Sequence, residues 1–586
     1  MAKQLITDYF RLNNAKQLRE SITESANNAY YVFVGKHTPY ANGDSIIPSP
    51  IKSIQEVDVD SYRNMIFGKR VSASDVTIMV PRYNWTTNTV YTSYTSTADL
   101  SNTAFYVLTS AASQYHIFKV LDNNGGAAST QQPQFADTSA DDQYYSTSDG
   151  YVWKYMYSIS KSEFEKFATA DYIPVLPNAN VAANAISGAI DVITINSGGS
   201  SYNSSFANTF NATNLRIGGD TTKYGLASDA SSNTNFYNDS FLYLSSGTGV
   251  GQIRRIVSYN VIGTDKVATI DSAFGIAPDA TTSYEITPSI TIVGDGNGAK
   301  ARALVNTAAS NSIYRVEIIE RGSNYSFGTA TVVGNTGGVS NAASLSVIVG
   351  PRGGHGADAE YELGGRYLGF SVSLANSESN TIPTINDFRT IGLLKDPLFA
   401  NVEFTLSSVV GIYQDEEVVT QANTNATGVV TFASGSTLRL SNVSGTFATG
   451  RIVTGASSNA TANVASFEIN DITKNFNTFD QRTRFVYNTI TGTFSADEAV
   501  YQSDVATGNA TFHSSDANYI FLTDERGVLN AGNTVVGVIS SAIANVTSKL
   551  PPDLIVGSGE VLYIENTDAI ARSNNQTEII KIIMKF

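Results

Sequence analysis

The stretch SDGYVWKYMYSIS, Ser148 to Ser160, decides how the rest of this chain is read. At a period of two residues, Tyr151, Trp153, Tyr155, Tyr157 and Ile159 fall on one side and Val152, Lys154, Met156 and Ser158 on the other. This predicts a strand with one heavy aromatic face. Asp149-Gly150 in front is a turn signal, and Ser160-Lys161-Ser162-Glu163 behind is a capping box opening a helix that carries Phe164 and Phe167. A second strand of this quality closes the chain, with Ile580, Ile582, Met584 and Phe586 on one face and Lys581 and Lys585 on the other. Both strands are expected in one core, with everything between them inserted.

With 586 residues the chain has room for three to five domains, and its 42% hydrophobic content is enough for sizeable cores. Only 15% of residues are charged, Ser, Thr, Asn, Gly and Tyr are abundant, and few long segments carry helical period, so strands and turns are favoured. The net charge of −15, without a clustered Lys/Arg surface, argues against a nucleic-acid partner. The absence of cysteine removes disulfides and thiolate metal sites and fits synthesis in a reducing cytosol. MAKQLITDYFRLNN lacks the apolar run of a secretory signal, and no stretch approaches a membrane span, so a soluble protein without a membrane partner is expected.

Residues 1 to about 180 read as mixed α and β. Asn14 with Gln17 suggests a helix start with Ala15, Leu18 and Ile22 as its apolar stripe. YYVFVG, Tyr30 to Gly35, predicts a buried strand, and a short helix is expected from Asp60 with Tyr62, Met65 and Ile66 inward and Gly68 ending it. Strands follow at Val76 to Val80 and His116 to Asp122. The prolines of DYIPVLP, Asp171 to Pro177, mark an edge or an exit from a sheet.

From about Gly188 the chain turns to repeats. IDVITINSGGSSY, Ile190 to Tyr202, aligns without a gap on IYRVEIIERGSNY, Ile313 to Tyr325, sharing the apolar beat, Gly199 with Gly322, a serine and the final tyrosine. YQDEEVVTQANTNATGVVTF, Tyr413 to Phe432, resembles FSADEAVYQSDVATGNATF, Phe494 to Phe512, and Gly450, Gly455, Ala462 and Val464 map onto Gly532, Gly537, Ala544 and Val546. Each copy alternates apolar and polar residues and breaks at glycine, as tandem small β-barrels or sandwiches do. Pro551-Pro552 stiffens the return to the closing segment. The fold class is mainly β with some α: a discontinuous α+β core domain, residues 1–184, 356–400 and 551–586, carrying inserted β-sandwich or β-barrel modules at 185–355 and 401–550.

Few stretches suggest chemistry. Gly294-Asp295-Gly296-Asn297-Gly298 invites a phosphate or calcium reading, but Ala299, Ala301, Ala303 and Val305 behind it alternate as a strand and Asn306 stands where a calcium loop needs its last acid, so a β-turn is expected. His355, in a glycine-rich turn, precedes Asp358, Glu360 and Glu362 on one face of an expected strand; three aligned carboxylates can hold a metal or dock a basic partner, or form a solvated face. His37, His116 and His513 are assigned to structure. Asn425-Ala426-Thr427 is a chance product of an Asn- and Thr-rich chain. No nucleophile elbow or zinc-binding helix motif is present, while a glycosidase carboxylate pair stays open because its acids need not be close in sequence. No residue is assigned a catalytic, cofactor-binding or metal role.

In order along the chain, YYVFVGKHTPY (Tyr30 to Tyr40), MVPRYNW (Met79 to Trp85), IFKVLD (Ile117 to Asp122), DGYVWKYMYSI (Asp149 to Ile159), DYIPVLP, DFRTIGLLKDPL (Asp387 to Leu398) and SGEVLYIENTDAIARSNNQTEIIKIIMKF (Ser558 to Phe586) resemble one family, the baseplate wedge subunit of T-even-like contractile-tailed bacteriophages, the product of their gene eight. The resemblance covers about 1 to 180, 360 to 400 and 553 to 586, less than half the chain. It implies a non-enzymatic virion protein of the tail baseplate, assembled in the host cytoplasm. The family forms a homodimer that ties other wedge proteins together around the hub, and tail-fibre proteins are further candidate neighbours. The two β insertions depart from the family pattern, and their role is not carried over. Two other functions compete: a fibre-like adhesin binding host glycans, and a glycan-degrading tail enzyme. Trp85 and Trp153 both lie outside the repeats, which weighs against both glycan readings.

Overall fold

The computed structural model describes residues 6–24, 28–135, 144–203, 206–210, 215–333, 341–376, 378, 382–384, 387–400, 402–469, 477–502, 508–573 and 575–586. Strands hold 49% of the chain and helices 9%, so the fold is mainly β with some α, and several of its sheets close or half-close into barrels. Two compact units divide it, one of residues 1–12 and 78–366, the other of 13–77 and 367–586. The stretches expected to form one body are thus shared between units: 79–85, 117–122, 149–159 and 171–177 in the first, 30–40, 387–398 and 558–586 in the second. Of the sequence repeats, 503–507 lies outside the described residues.

In the first unit the strand Val152–Ser160 sits inside a four-stranded antiparallel sheet, paired on one side with Gln114–Asp122, itself next to Tyr106–Ser110, and on the other with Tyr144–Ser146. Tyr151, Trp153 and Tyr155 enter one core with Tyr91, Val107 and Phe118. The two-residue beat is interrupted. Ile117 faces Tyr157 while Phe118 faces Tyr155, a bulge at Met156, and Lys154 and Met156 are buried as well, so the strand has no solvated face. Of the flanking signals, Gly150 turns at φ 86°, and Ser160 supplies its half of the capping box, its Oγ accepting from the Glu163 amide at 3.2 Å to open the helix Lys161–Phe167. Residues 79–81 pair with Tyr172–Pro174, an edge strand as its prolines require.

The duplicated unit is reproduced down to its backbone. Gly199 and Gly322 turn at φ 62° and 64°, and the residues two further on, Ser201 and Asn324, at φ 66° and 63°. The closing Tyr202 and Tyr325 are both buried, in one cluster with Ile190, Ile193 and Ile313. At either glycine a Cβ would run into backbone, of Asn341 to Ala343 in one copy and of Asn297 and Ala299 in the other, which explains why glycine stands at both. Between the copies, Tyr224, Leu242, Ile256, Tyr259, Tyr284 and their neighbours fill a separate core.

The second unit holds a five-stranded sheet in the order Thr478–Asp480, Met65–Arg70, Tyr30–Gly35, Asp387–Lys395, Glu560–Ala571. Tyr31, Phe33, Tyr62, Leu394, Phe399 and Phe479 pack there. The closing strand Thr577–Lys585 pairs with Tyr367–Ala375 in this unit. Two helix expectations are corrected. The first helix spans Asp8–Thr23, because Thr7 supplies a cap ahead of Asn14, its Oγ1 accepting from the Phe10 amide at 3.3 Å. The second spans Ile54–Asn64, capped by Ser53, and Met65 to Gly68 belong to a strand whose sheet pairing overrides the helical spacing of Met65 and Ile66.

The late repeats are two closed six-stranded barrels. Val402–Val410, Thr437–Ser444, Thr427–Ser434, Val418–Gln421, Ile452–Gly455 and Thr461–Ile469 form one, and Thr483–Thr491, Tyr519–Gly527, Gly508–Ser515, Ala499–Gln502, Thr534–Gly537 and Ile543–Leu550 the other. Each is staked by the same two polar side chains. Glu417 accepts from the Ser457 and Ser458 amides, both at 2.9 Å, and Glu498 from those of Ile539 and Ser540 at 2.8 and 2.9 Å. Gln421 exchanges two hydrogen bonds with the Ala448 backbone, and Gln502 does the same with Asn530. Gly455 and Gly537 leave room for the carboxylates, since a Cβ at either would collide with the glutamate. Gly455→Ala and Gly537→Ala are each expected to displace that buried acceptor and cost about 1–3 kcal/mol, seen as a lowered denaturation midpoint; an unchanged midpoint in both would remove the stake from this account.

The barrels are not simple appendages. The linker strand Thr478–Asp480 pairs with Met65–Arg70, and Phe479, fully buried, packs on Tyr31 at 5.5 Å between ring centres. The inserted segment therefore completes the sheet that carries it, and removing 401–550 takes away part of the core.

Candidate functional site

A buried polar group in the first unit is assembled from four distant stretches. Lys119 comes from Gln114–Asp122, Asp191 from Ile190–Ser197, Arg321 from Ser312–Ser323, and His355 with Glu362 from the glycine turn and the short helix Ala359–Glu362. Gly354 and Gly356, at φ 98° and 94°, bend the chain so that the histidine ring points inward. Lys119 Nζ donates to Glu362 Oε2 at 2.9 Å and to His355 Nδ1 at 3.0 Å, and lies 4.0 Å from the centre of the Tyr94 ring. The Gly356 amide donates to Glu362 Oε1 at 2.7 Å. His355 Nε2 faces Asp191 Oδ2 at 3.6 Å, and Arg321 Nε stands 3.1 Å from Asp191 Oδ1.

An ammonium only donates, so Nδ1 of His355 accepts and the neutral ring carries its proton on Nε2, toward Asp191. Burial lowers the pKa of His355, and the Lys119 charge lowers it further. Burial pushes the Glu362 carboxyl up, but Lys119 and His355 outweigh this and bring it to about 2. Burial likewise lowers Lys119, against the pull of Glu362. With no exposed surface on Lys119, this cluster is a buried ionic tie between segments and gives no substrate access to the amine.

The three aligned carboxylates do not form a strand face. Asp358 caps the short helix, accepting from the Tyr361 amide at 2.9 Å, while Glu360 and Glu362 are buried. The strand reading failed because Asp358 is a strong cap and buried Lys119 draws Glu362 inward. Gly294 to Gly298 is the hairpin turn between Ser283–Gly294 and Asn297–Asn306. Asn425 takes φ 55° in the turn before Thr427–Ser434. His116 Nδ1 meets Ser158 Oγ at 2.8 Å. His37 Nδ1 is 2.6 Å from Asp497 and its ring packs edge-on against His513, 4.9 Å away. Among the described residues no cluster of three or more His, Asp or Glu is placed to hold a metal ion.

Burial, Arg482 and His37 hold the pKa of His513 well below the ordinary histidine value. The unfolded chain then binds the proton more readily, so this residue withdraws stability as pH falls below about 6.5. His513→Asn is expected to gain stability relative to the parent between about pH 7.5 and about pH 5. Denaturation midpoints of both proteins at the two pH values test this, and a constant difference contradicts it.

Two clefts open in the same unit. One of about 420 Å³ is lined by Tyr94, Asp99, Tyr361, Glu362 and Arg366 among others. A larger one of about 810 Å³ is lined by Tyr144, Asp149, Asp191, Tyr243, Tyr314 and Arg321 among others. Sequence reasoning missed Lys119, Asp191 and Arg321. A lysine in the middle of the apolar run IFKVLD was the available signal for a buried charge.

Comparison with known proteins found no matching family model and no matching curated protein.

Proposed function

We propose that this chain is a structural subunit of a contractile-tail baseplate wedge, without enzymatic activity, that forms a homodimer and binds neighbouring wedge proteins. The observation that carries the reading is how the family-like stretches pair. Tyr30–Gly35, within YYVFVGKHTPY, pairs with Asp387–Lys395, within DFRTIGLLKDPL, and this in turn pairs with Glu560–Ala571 of the closing stretch. In the other unit Gln114–Asp122 pairs with Val152–Ser160, and residues 79–81 with Tyr172–Pro174. Segments chosen only by resemblance are thus neighbours within each unit, and in the second they lie more than a hundred residues apart in sequence, as expected of an older framework into which repeats were inserted. The repeats add reach and partner surface to that framework.

Gold-labelled antibody against this chain, applied to intact particles and viewed by electron microscopy, tests the reading. Label at the end of the tail sheath is expected. Label confined to fibre tips, or absent from the particle, contradicts it.

A further inference from the structure

The two barrels of the second unit agree in their interiors and differ on one end, and the differences are paired. At the end held by Glu417 and Glu498 each barrel presents a loop, 411–417 or 492–498, beside a turn, 456–460 or 538–542, and the glutamate accepts from both. In the first barrel the loop side is apolar: Val410, Ile412 and Val418 are exposed, Ile412 to 84%. The turn side carries Ala456, Ser457 and Thr461. In the second barrel these places are exchanged. Thr491, Thr493 and Ala499 stand on the loop side, while Val538, Ile539 and Ile543 are exposed on the turn side, Ile539 to 74%.

The exchange runs position by position. Val410 pairs across the ladder with Thr461, and Thr491 pairs with Ile543. The Ala456 amide donates to the Val418 carbonyl, and the Val538 amide to the Ala499 carbonyl. Single exposed apolar side chains are ordinary on a protein surface, and a cross-strand pair can trade its members without consequence. Ile412 and Ile539 lie in no strand, so strand pairing gives no reason for their exchange with Thr493 and Ser457. An apolar half-face that keeps its extent while it changes sides points to a partner surface.

We infer that this partner is a second copy of the chain, the first barrel of one copy packing end to end on the second barrel of the other. When two related faces meet about an approximate two-fold axis, the loop side of one lies on the turn side of the other. First barrel on first barrel would set Val410, Ile412 and Val418 on Ala456, Ser457 and Thr461, and second on second repeats the mismatch. First on second sets apolar on apolar and polar on polar, so each barrel is complementary to the other and not to itself. The turns carry no charge, so Asp415, Glu416 and Asp497 of the loops meet no like charge there. The molecular two-fold axis repeats the contact, and each copy uses both barrels. This assigns a surface to the homodimer proposed above and rests on that part of the reading alone.

Sedimentation velocity of the full-length protein over a concentration series tests the contact. Ile412→Glu and Ile539→Glu, at exposed positions, are expected to leave the thermal midpoint unchanged and each to weaken the dimer by about tenfold or more, since each charge enters both contacts. Ile412→Glu/Ile539→Lys should recover much of that loss, because the new charges meet across the contact. A parent dimer that neither single variant weakens overturns the inference and leaves the homodimer standing, whereas a monomeric parent overturns both. A double variant no tighter than the singles shows that the two residues do not face each other and overturns the pairing of first with second barrel. Loss of capture of another tail protein with the dimer intact assigns the faces to that protein and overturns the inference as well.

Discussion

Replacing Glu362 by alanine is expected to destabilise the protein by about 3–5 kcal/mol, the cost of leaving a buried charge without its partner. Lys119 has no exposed surface, and after the substitution its ammonium would face only the His355 ring nitrogen and the Tyr94 ring. The Gly356 amide would lose its acceptor too. The double variant Lys119→Met/Glu362→Leu should recover most of that loss, because apolar pairs of similar volume replace buried ion pairs at little cost. Urea denaturation of the single and double variants measures this directly. A double variant as unstable as the sum of its singles would show that the residues act independently, and the ionic tie would fall.

Trp153→Ala is the other large effect, about 3–5 kcal/mol from lost transfer energy and the cavity left behind. The indole is fully buried, stacked on Tyr151 at 5.1 Å and 20°, edge-on to Tyr91 at 6.0 Å, and donates through Nε1 to Thr147 Oγ1 at 3.2 Å. Two rings and a turn hydroxyl lose a partner together, so the surroundings have little freedom to collapse. Trp153→Phe keeps part of the volume and should cost less. An unchanged denaturation midpoint for Trp153→Ala would contradict the assignment of this strand to a core.

What could be read from sequence was what local chemistry decides. The strand within Ser148 to Ser160, the Ser160 cap and the turn at Gly150 are set within a few residues, and each is found in place. Duplication was as legible: Gly199 and Gly322 align because each must turn left-handed against backbone. The bulge at Met156 was hidden because the partner strand sets it. Glu362 could not be matched with Lys119, since its partner lies 243 residues away. Phe479 falls inside the segment read as inserted repeats, and only the sheet edge beside Met65–Arg70 explains its burial. The Glu417 and Glu498 stakes stood in matching places of the two copies and could have been found by asking why an acid recurs in each.

The wedge-subunit account is tested most directly by the solution mass of the recombinant chain, alone and after mixing with the other tail proteins of the same particle. The account predicts a dimer, at twice the chain mass, that co-migrates with at least one neighbouring wedge protein. A monomer that captures none of them would contradict it.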